Sequence, residues 1–215
     1  MIFTDSHAHL SSVAEEFGRE VLASLLGDYA AAALDAAGDG RATPLLLDPG
    51  TEPDDLGARI ELLGGGEPLQ PFLRLAAGIW PSPENLADPA ASLAALESAI
   101  EAAEASGQKI AAIGEGGLDY HYDEGMAGDL KRAQAELFEG QLSLARRLGL
   151  PMIVHSRESA ADTISMLRSV QAASPVIIHC FGYGLEEAHS FLELGCALSF
   201  AGNLTYKKSD ALREA

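Results

Sequence analysis

Cysteine is scarce in this chain: there are two, Cys180 and Cys196. Both fall in apolar runs, VIIHC and GCALSF, where a cysteine behaves as a small buried hydrophobe, and nothing suggests a structural disulfide. Long hydrophobic runs are also missing. No stretch reaches eighteen uninterrupted apolar residues, which argues against a membrane span. The opening MIFTDSHAHL has neither the basic start nor the apolar centre of a signal peptide, so a cytoplasmic location is expected. Basic residues are few, 14 against 32 acidic, for a formal net charge of −18. Such a surface repels a phosphodiester backbone and disfavours an extensive nucleic-acid interface. Two readings of the charge stand: plain solubility, or a site whose bound cations neutralise an anionic substrate.

What is present is an alternation of two textures. Short apolar runs read as buried parallel strands at Met1–Thr4, Leu45–Leu47, Leu75–Ile79, Ile110–Ile113, Pro151–Val154, Val176–Ile178 and Cys196–Phe200. Amphipathic segments lie between them, near Val13–Ala37, Leu56–Leu63, Ala90–Ala105, Asp129–Leu148, Ala160–Ala172 and Leu185–Leu194. Seven strands separated by helices predict an α/β fold with a parallel sheet, in a single domain over residues 1–215. A doubly wound sheet would call for a glycine-rich phosphate loop after an early strand. The Gly64-Gly65-Gly66 run follows a helix and reads as a turn, so a barrel is favoured.

The chemistry-bearing residues share one location, the carboxyl ends of strands. The first strand runs into Asp5-Ser6-His7-Ala8-His9, the fourth into Gly114-Glu115-Gly116-Gly117-Leu118-Asp119, and the next two end in His155 and His179. In parallel β/α folds those ends face one crevice. Residues two apart in an extended segment project to the same side, so His7 and His9 can address one cation. Glu115 has two oxygens and can bridge two cations; a turn-capping surface glutamate is the other reading. A lone histidine closing an apolar run is usually a core residue, but His155 and His179 on consecutive strands make a second cation site. Mixed imidazole and carboxylate ligation suits Zn, Mn, Ni or Fe, and open positions admit Mg. His121, beyond the Glu115 loop, could contact substrate, whereas His189 reads as a solvated helix residue.

At these residues the chain resembles the TatD family of metal-dependent deoxyribonucleases, within the amidohydrolase-like barrel superfamily. The motifs that carry the resemblance are FTDSHAHL at 3–10, AAGIWP at 76–81, IGEGGLDYH at 113–121, PMIVHSRES at 151–159, IHCFGYG at 178–184 and LSFAGNLTYKKSDALREA at 198–215. The resemblance implies a (β/α)8-type TIM barrel and hydrolysis of DNA phosphodiester bonds with a metal-activated water. It implies two divalent cations (Mg, Mn or Zn), the first on His7 and His9, the second on His155 and His179, with Glu115 bridging. Glu115 and His155 would be catalytic. Related activities include 3′-to-5′ exonuclease action and deacylation of D-aminoacyl-tRNA.

Two departures from the family pattern stand out. Trp80 occupies the place of a family histidine after the third strand, where it offers a stacking ring for a base or packs against the barrel mouth. The sequence also ends at Ala215, ahead of the family's eighth strand and its E-T-D-x-P motif, so seven strands are expected, with weaker metal binding, reduced stability, or both. Asp210 sits where a helix N-cap is the natural role and does not replace the missing aspartate. Arg157 is placed either to clamp a phosphate or to pair with a carboxylate at a helix start. Asp119 lies in the Glu115 loop, where it could hold a histidine tautomer, but its spacing is too generic to assign that role. DNA ends or a small phosphoester are the expected substrates. Rival readings are an amide or ester hydrolase and a catalytically impaired metal-binding scaffold. No Lys ends any of these strands, which removes the carbamylated-lysine form of the amidohydrolase site.

Overall fold

The computed structural model describes residues 4–38, 45–64, 69–121, 128–170 and 175–215. The chain enters through an extended segment at Asp5, then helix α1 (Leu10–Phe17) and helix α2 (Arg19–Gly38). Strand β1 (Leu46–Asp48), helix α3 (Leu56–Gly64), strand β2 (Leu73–Ala77) and the helices α4 (Pro83–Leu86) and α5 (Pro89–Ala105) follow. The centre of the molecule is strand β3 (Ala112–Asp119), helix α6 (Gly128–Leu148) and strand β4 (Met152–Arg157). Helix α7 (Ala160–Ser169), strand β5 (Val176–Ile178), helix α8 (Leu185–Glu193), strand β6 (Ala197–Leu198) and helix α9 (Asp210–Glu214) complete it.

Among the described residues, six strands lie parallel in sequential order, β1 to β6. Sequential order without reversal belongs to barrels, whereas a doubly wound sheet reverses at a switch point. Asp5 adds a parallel bridge to Leu46 on the free side of β1. Its neighbour Ser6 lies 3.3 Å, oxygen to oxygen, from Ser199 just past β6, so the sheet curls until its two ends approach. The result is a parallel half-barrel.

Strand alternation sorts the side chains into two layers. Leu46, Leu73, Leu75, Ala77, Ile113, Met152, Val154, Val176 and Ile178 join the large core beneath the helices. Leu47, Ala76, Ala112 and Ile153 form a small inner cluster on the opposite face. His155, two residues after Ile153, inherits that inner face. The alternation that fills the barrel floor with apolar groups thus delivers the imidazole to its mouth.

Several expectations need correction. The helix expected over Val13–Ala37 is two helices, because Gly18 adopts a φ of 92° that ends α1. The first expected strand is represented by the Asp5 bridge, its residues 1–3 lying outside the described set, as do Gly65, Gly66 and residues 171–172 of the helix expected over Ala160–Ala172. Ser209, not Asp210, holds the N-cap position of α9, and Asp210 pairs with Arg213 in the first turn. Of the two thiols, Cys196 is buried but Cys180 is exposed. No described helix is long and apolar enough to cross a membrane.

Candidate metal centre

Glu115 was expected just past a strand; it lies inside one. β3 runs through the glycines to Asp119 and pairs with β4 as far as Asp119 and Arg157. Its register with β4 shifts between Ile113 and Gly116, so one extra residue is accommodated there. Such a bulge re-aims a side chain next to a site. Here it turns Glu115 into the barrel, 4% exposed. Gly114 has a φ of 137°, and a Cβ there would lie 2.7 Å from the Ile153 Cβ. A Cβ on Gly78 would come within 2.4 Å of the Gly114 backbone. With both side chains absent, Gly50 after β1 bonds directly to β3 across β2: its N–H donates to the Gly114 carbonyl (3.1 Å), and its carbonyl accepts from the Glu115 N–H (2.7 Å).

His7 and His9 converge without being in a strand. The His7 N–H donates to Asp5 Oδ1 (2.9 Å), and the His9 carbonyl accepts from Val13 N–H as the residue preceding α1. This turn, not extended backbone, brings the two Nε2 atoms to 3.0 Å. Both address one carboxylate oxygen, Glu115 Oε2, at 2.9 and 3.3 Å. The other oxygen, Oε1, faces His155 Nδ1 at 2.8 Å and His179 Nε2 at 2.7 Å, and those nitrogens are 3.1 Å apart. The His7 and His179 rings stack with centroids 3.9 Å apart. His155 was expected to close its strand; β4 continues two residues beyond it.

Whether these residues suit a cation can be judged from their nitrogens. A hydrogen bond needs one N–H between two heteroatoms. Here two ring nitrogens converge on each carboxylate oxygen and on one another, which is how lone pairs converge on a positive ion. Ligand atoms of His7, Glu115 and His179 all lie within 4.8 Å of one another. The buried His7 Nδ1 has no hydrogen-bond partner, so no second contact commits that ring to a purely structural role. The donor set fits divalent cations.

Burial opposes ionisation of Glu115, but hydrogen bonds from the surrounding imidazoles outweigh it and hold the carboxyl well below its usual range. Burial pulls His155 down, yet Asp119 and Glu115 together push it up to about 9. For His179 burial wins, and its pKa is lowered. His9 is raised, chiefly by its bond to Glu115.

Two braces surround the cluster. On one side His155 Nε2 meets Asp119 Oδ2 at 2.9 Å, which fixes the ring with Nδ1 inward. Asp119 is itself anchored by Gln134, whose amide accepts from the Asp119 N–H and donates to its carbonyl, each at 2.9 Å. Seven residues on, Gln141 makes the same paired contact with Ile79 at 2.8 and 3.0 Å. On the other side Arg59, 4% exposed, donates to Asp48 Oδ2 (2.8 Å), the Ala76 carbonyl (2.8 Å) and Asp55 (2.9 Å). Asp48 Oδ1 in turn accepts from the Leu10 N–H at 2.8 Å, seating α1 immediately after His9. Sequence reasoning missed Gln134, Gln141, Asp48 and Arg59. The signal for the glutamines was available: two amides seven apart on the apolar stripe of α6.

The remaining expected residues sit around the mouth. The Trp80 ring lies edge-on to His155 with centroids 6.0 Å apart. Arg157 ends β4; burial opposes ionisation of Asp119, but its bonds to His155 and the His121 amide, with the His155 and Arg157 charges, hold its pKa below the usual value. The His121 ring meets Glu158 at 2.6 Å on the surface, and the His121 backbone N–H donates to Asp119 Oδ1 (3.0 Å).

Comparison with known proteins follows the same lines. The chain is 37% identical over 108 residues to the metal-dependent hydrolase YabD of Bacillus subtilis, covering 50% of this chain and 41% of that one. It is 28% identical over 169 residues to the metal-dependent hydrolase YjjV of Escherichia coli, covering 79% and 61%. The chain thus matches less than two thirds of these relatives' lengths. The crystal structure of the E. coli TatD homologue YJJV superposes with a TM-score of 0.70 at 28% identity, over 99% of this chain and 73% of that one. A TatD family hydrolase from Entamoeba histolytica shares the fold at a TM-score of 0.71 and 19% identity, over 100% and 69%. The family model described as TatD related DNase matches residues 4–215, nearly the whole chain. The chain belongs to the TatD-related DNase family.

Proposed function

We propose that this chain holds the reaction centre of a metal-dependent hydrolase that cleaves phosphodiester bonds at DNA ends. One observation carries the reading: a single buried carboxylate whose two oxygens each face a separate pair of imidazole nitrogens. In this reading His7 and His9 would hold one divalent cation, His155 and His179 another, and Glu115 would be shared between them. Zn, Mn or Mg suits such a donor set. Divalent cations bound there would supply charge neutralisation at a scissile phosphate and a lowered pKa for an attacking water.

The chain's own groups do the rest. Asp119 keeps the His155 proton on Nε2, so that Nδ1 turns its lone pair inward. The Trp80 ring at the mouth offers a surface on which a terminal base stacks. Arg157, beside Asp119, supplies a fork for a phosphate oxygen. The net charge of −18 confines the substrate to ends or short strands, because a long polyanion is repelled. The same charge favours a second reading, an amide or ester hydrolase using the same centre on a neutral substrate. Assays on 3′-labelled single-stranded DNA with Mg or Mn, beside a panel of p-nitrophenyl carboxylate esters, separate the two. Release of mononucleotides supports the first reading; turnover of the esters alone overturns it.

A further inference from the structure

A cleft of about 470 Å3 opens between α1 and α3, within the size range of small-ligand sites. Its inner end is His9, so it is continuous with the imidazole cluster. Most charged groups along it are already committed. Asp48 is bound to Arg59 and to the Leu10 amide, and Asp55 to Arg59 and the amides of Thr51 and Glu52. Glu52 accepts from Asn85. The side chains of Ser11, Ser12, Thr51, Glu15 and Arg19 also line the cleft, and they meet no partner among the described residues. Arg19 is therefore an exposed cation lining the cleft that meets no carboxylate among the described residues, in a chain where acidic residues outnumber basic ones 32 to 14.

Spacing suggests what it meets. The eight residues of α1 separate His9 from the Gly18-Arg19 corner, about 12 Å along the helix at 1.5 Å per residue. That span is longer than the step between successive phosphates, but the long, flexible Arg19 side chain can reach back over part of it, so a ligand with one phosphate at the imidazole cluster meets Arg19 with a second anion one nucleotide away. The three hydroxyls between are suited to sugar and base-edge polar atoms. Glu15, four residues before Arg19, accepts from a sugar hydroxyl or base amine and repels any further phosphates.

We infer that this cleft is the subsite for the nucleotide flanking the scissile bond, with Arg19 on that nucleotide's outer phosphate; the inference rests on the phosphodiesterase reading above. One charge-assisted contact of this kind is worth about tenfold. The test compares kcat/KM for a thymidine dinucleotide with and without a terminal phosphate, in the presence of Mn. The wild-type protein should prefer the phosphorylated form by about tenfold, and Arg19→Gln should erase the preference through KM. Glu15→Gln should enlarge it by about threefold, and Arg168→Gln, on α7 away from the cleft, should leave it intact. A preference that survives Arg19→Gln overturns the subsite. If neither dinucleotide is cleaved, the phosphodiesterase reading fails separately. Titration calorimetry with the phosphorylated dinucleotide then decides: about tenfold weaker binding to Arg19→Gln supports the subsite, and equal binding overturns it.

Discussion

The two oxygens of Glu115 look onto unlike neighbourhoods. Oε1 faces His155 from within β4 and His179 directly after β5, rings that are 14% and 10% exposed, with His155 braced by Asp119. Oε2 faces His7 and His9, which hang on a turn before a helix; His9 is 39% exposed and lines the outer cleft. Strand pairing fixes position through many backbone bonds shared with neighbours. A turn relies on a few, here the Asp48–Arg59 pair and the Asp5 contact. In this fold the strand side sets the geometry, and the turn side leaves room for a ligand to arrive.

This contrast can be broken at its middle or at either flank. Glu115→Gln removes the charge both pairs share, and hydrolysis should fall by a thousandfold or more, on the order of an oxyanion-hole loss or beyond, with metal content of the purified protein reduced at both positions. Loss of a single metal equivalent would contradict a shared carboxylate. Arg59→Leu leaves Asp48 buried without its partner, and stability should drop by about 3–5 kcal/mol in urea unfolding. An unchanged midpoint would show that α1 does not depend on this pair. His155→Ala should cost roughly a hundredfold more activity than His9→Ala with little change in near-ultraviolet circular dichroism; equal losses would erase the asymmetry. Asp119→Asn should weaken metal affinity by about 10- to 100-fold while the fold persists, as loss of a carboxylate behind a ligating histidine does elsewhere.

Much of the centre was legible before any coordinates. His155 and His179 follow uninterrupted apolar runs, and parallel strands point their carboxyl ends at one crevice, so their meeting follows from topology. His7 and His9 meet as expected, though a turn and not an extended strand brings them together. The position of Glu115 was obscured because three glycines in five residues resemble a loop; neighbour-strand pairing keeps them in a strand. Asp48 and Arg59 were hidden for another reason. Each looks ordinary in its own segment, a strand terminus and a helix interior, and only packing of α3 on β1 makes them one buried unit.

The paired glutamines of α6 have a consequence for how the molecule assembles. Gln134 grips the end of β3 and Gln141 the residues after β2, from one rigid rod. Sliding that rod by a single residue rotates both amides by about 100° and unclips two strands at once. The helix thus works as a jig: its alignment is checked at two stations, and neither strand tip can be correctly placed while the other is wrong. Formation of the reaction centre and final seating of the helix become one event, so amide protection at Asp119 and Ile79 should be lost together when the molecule opens.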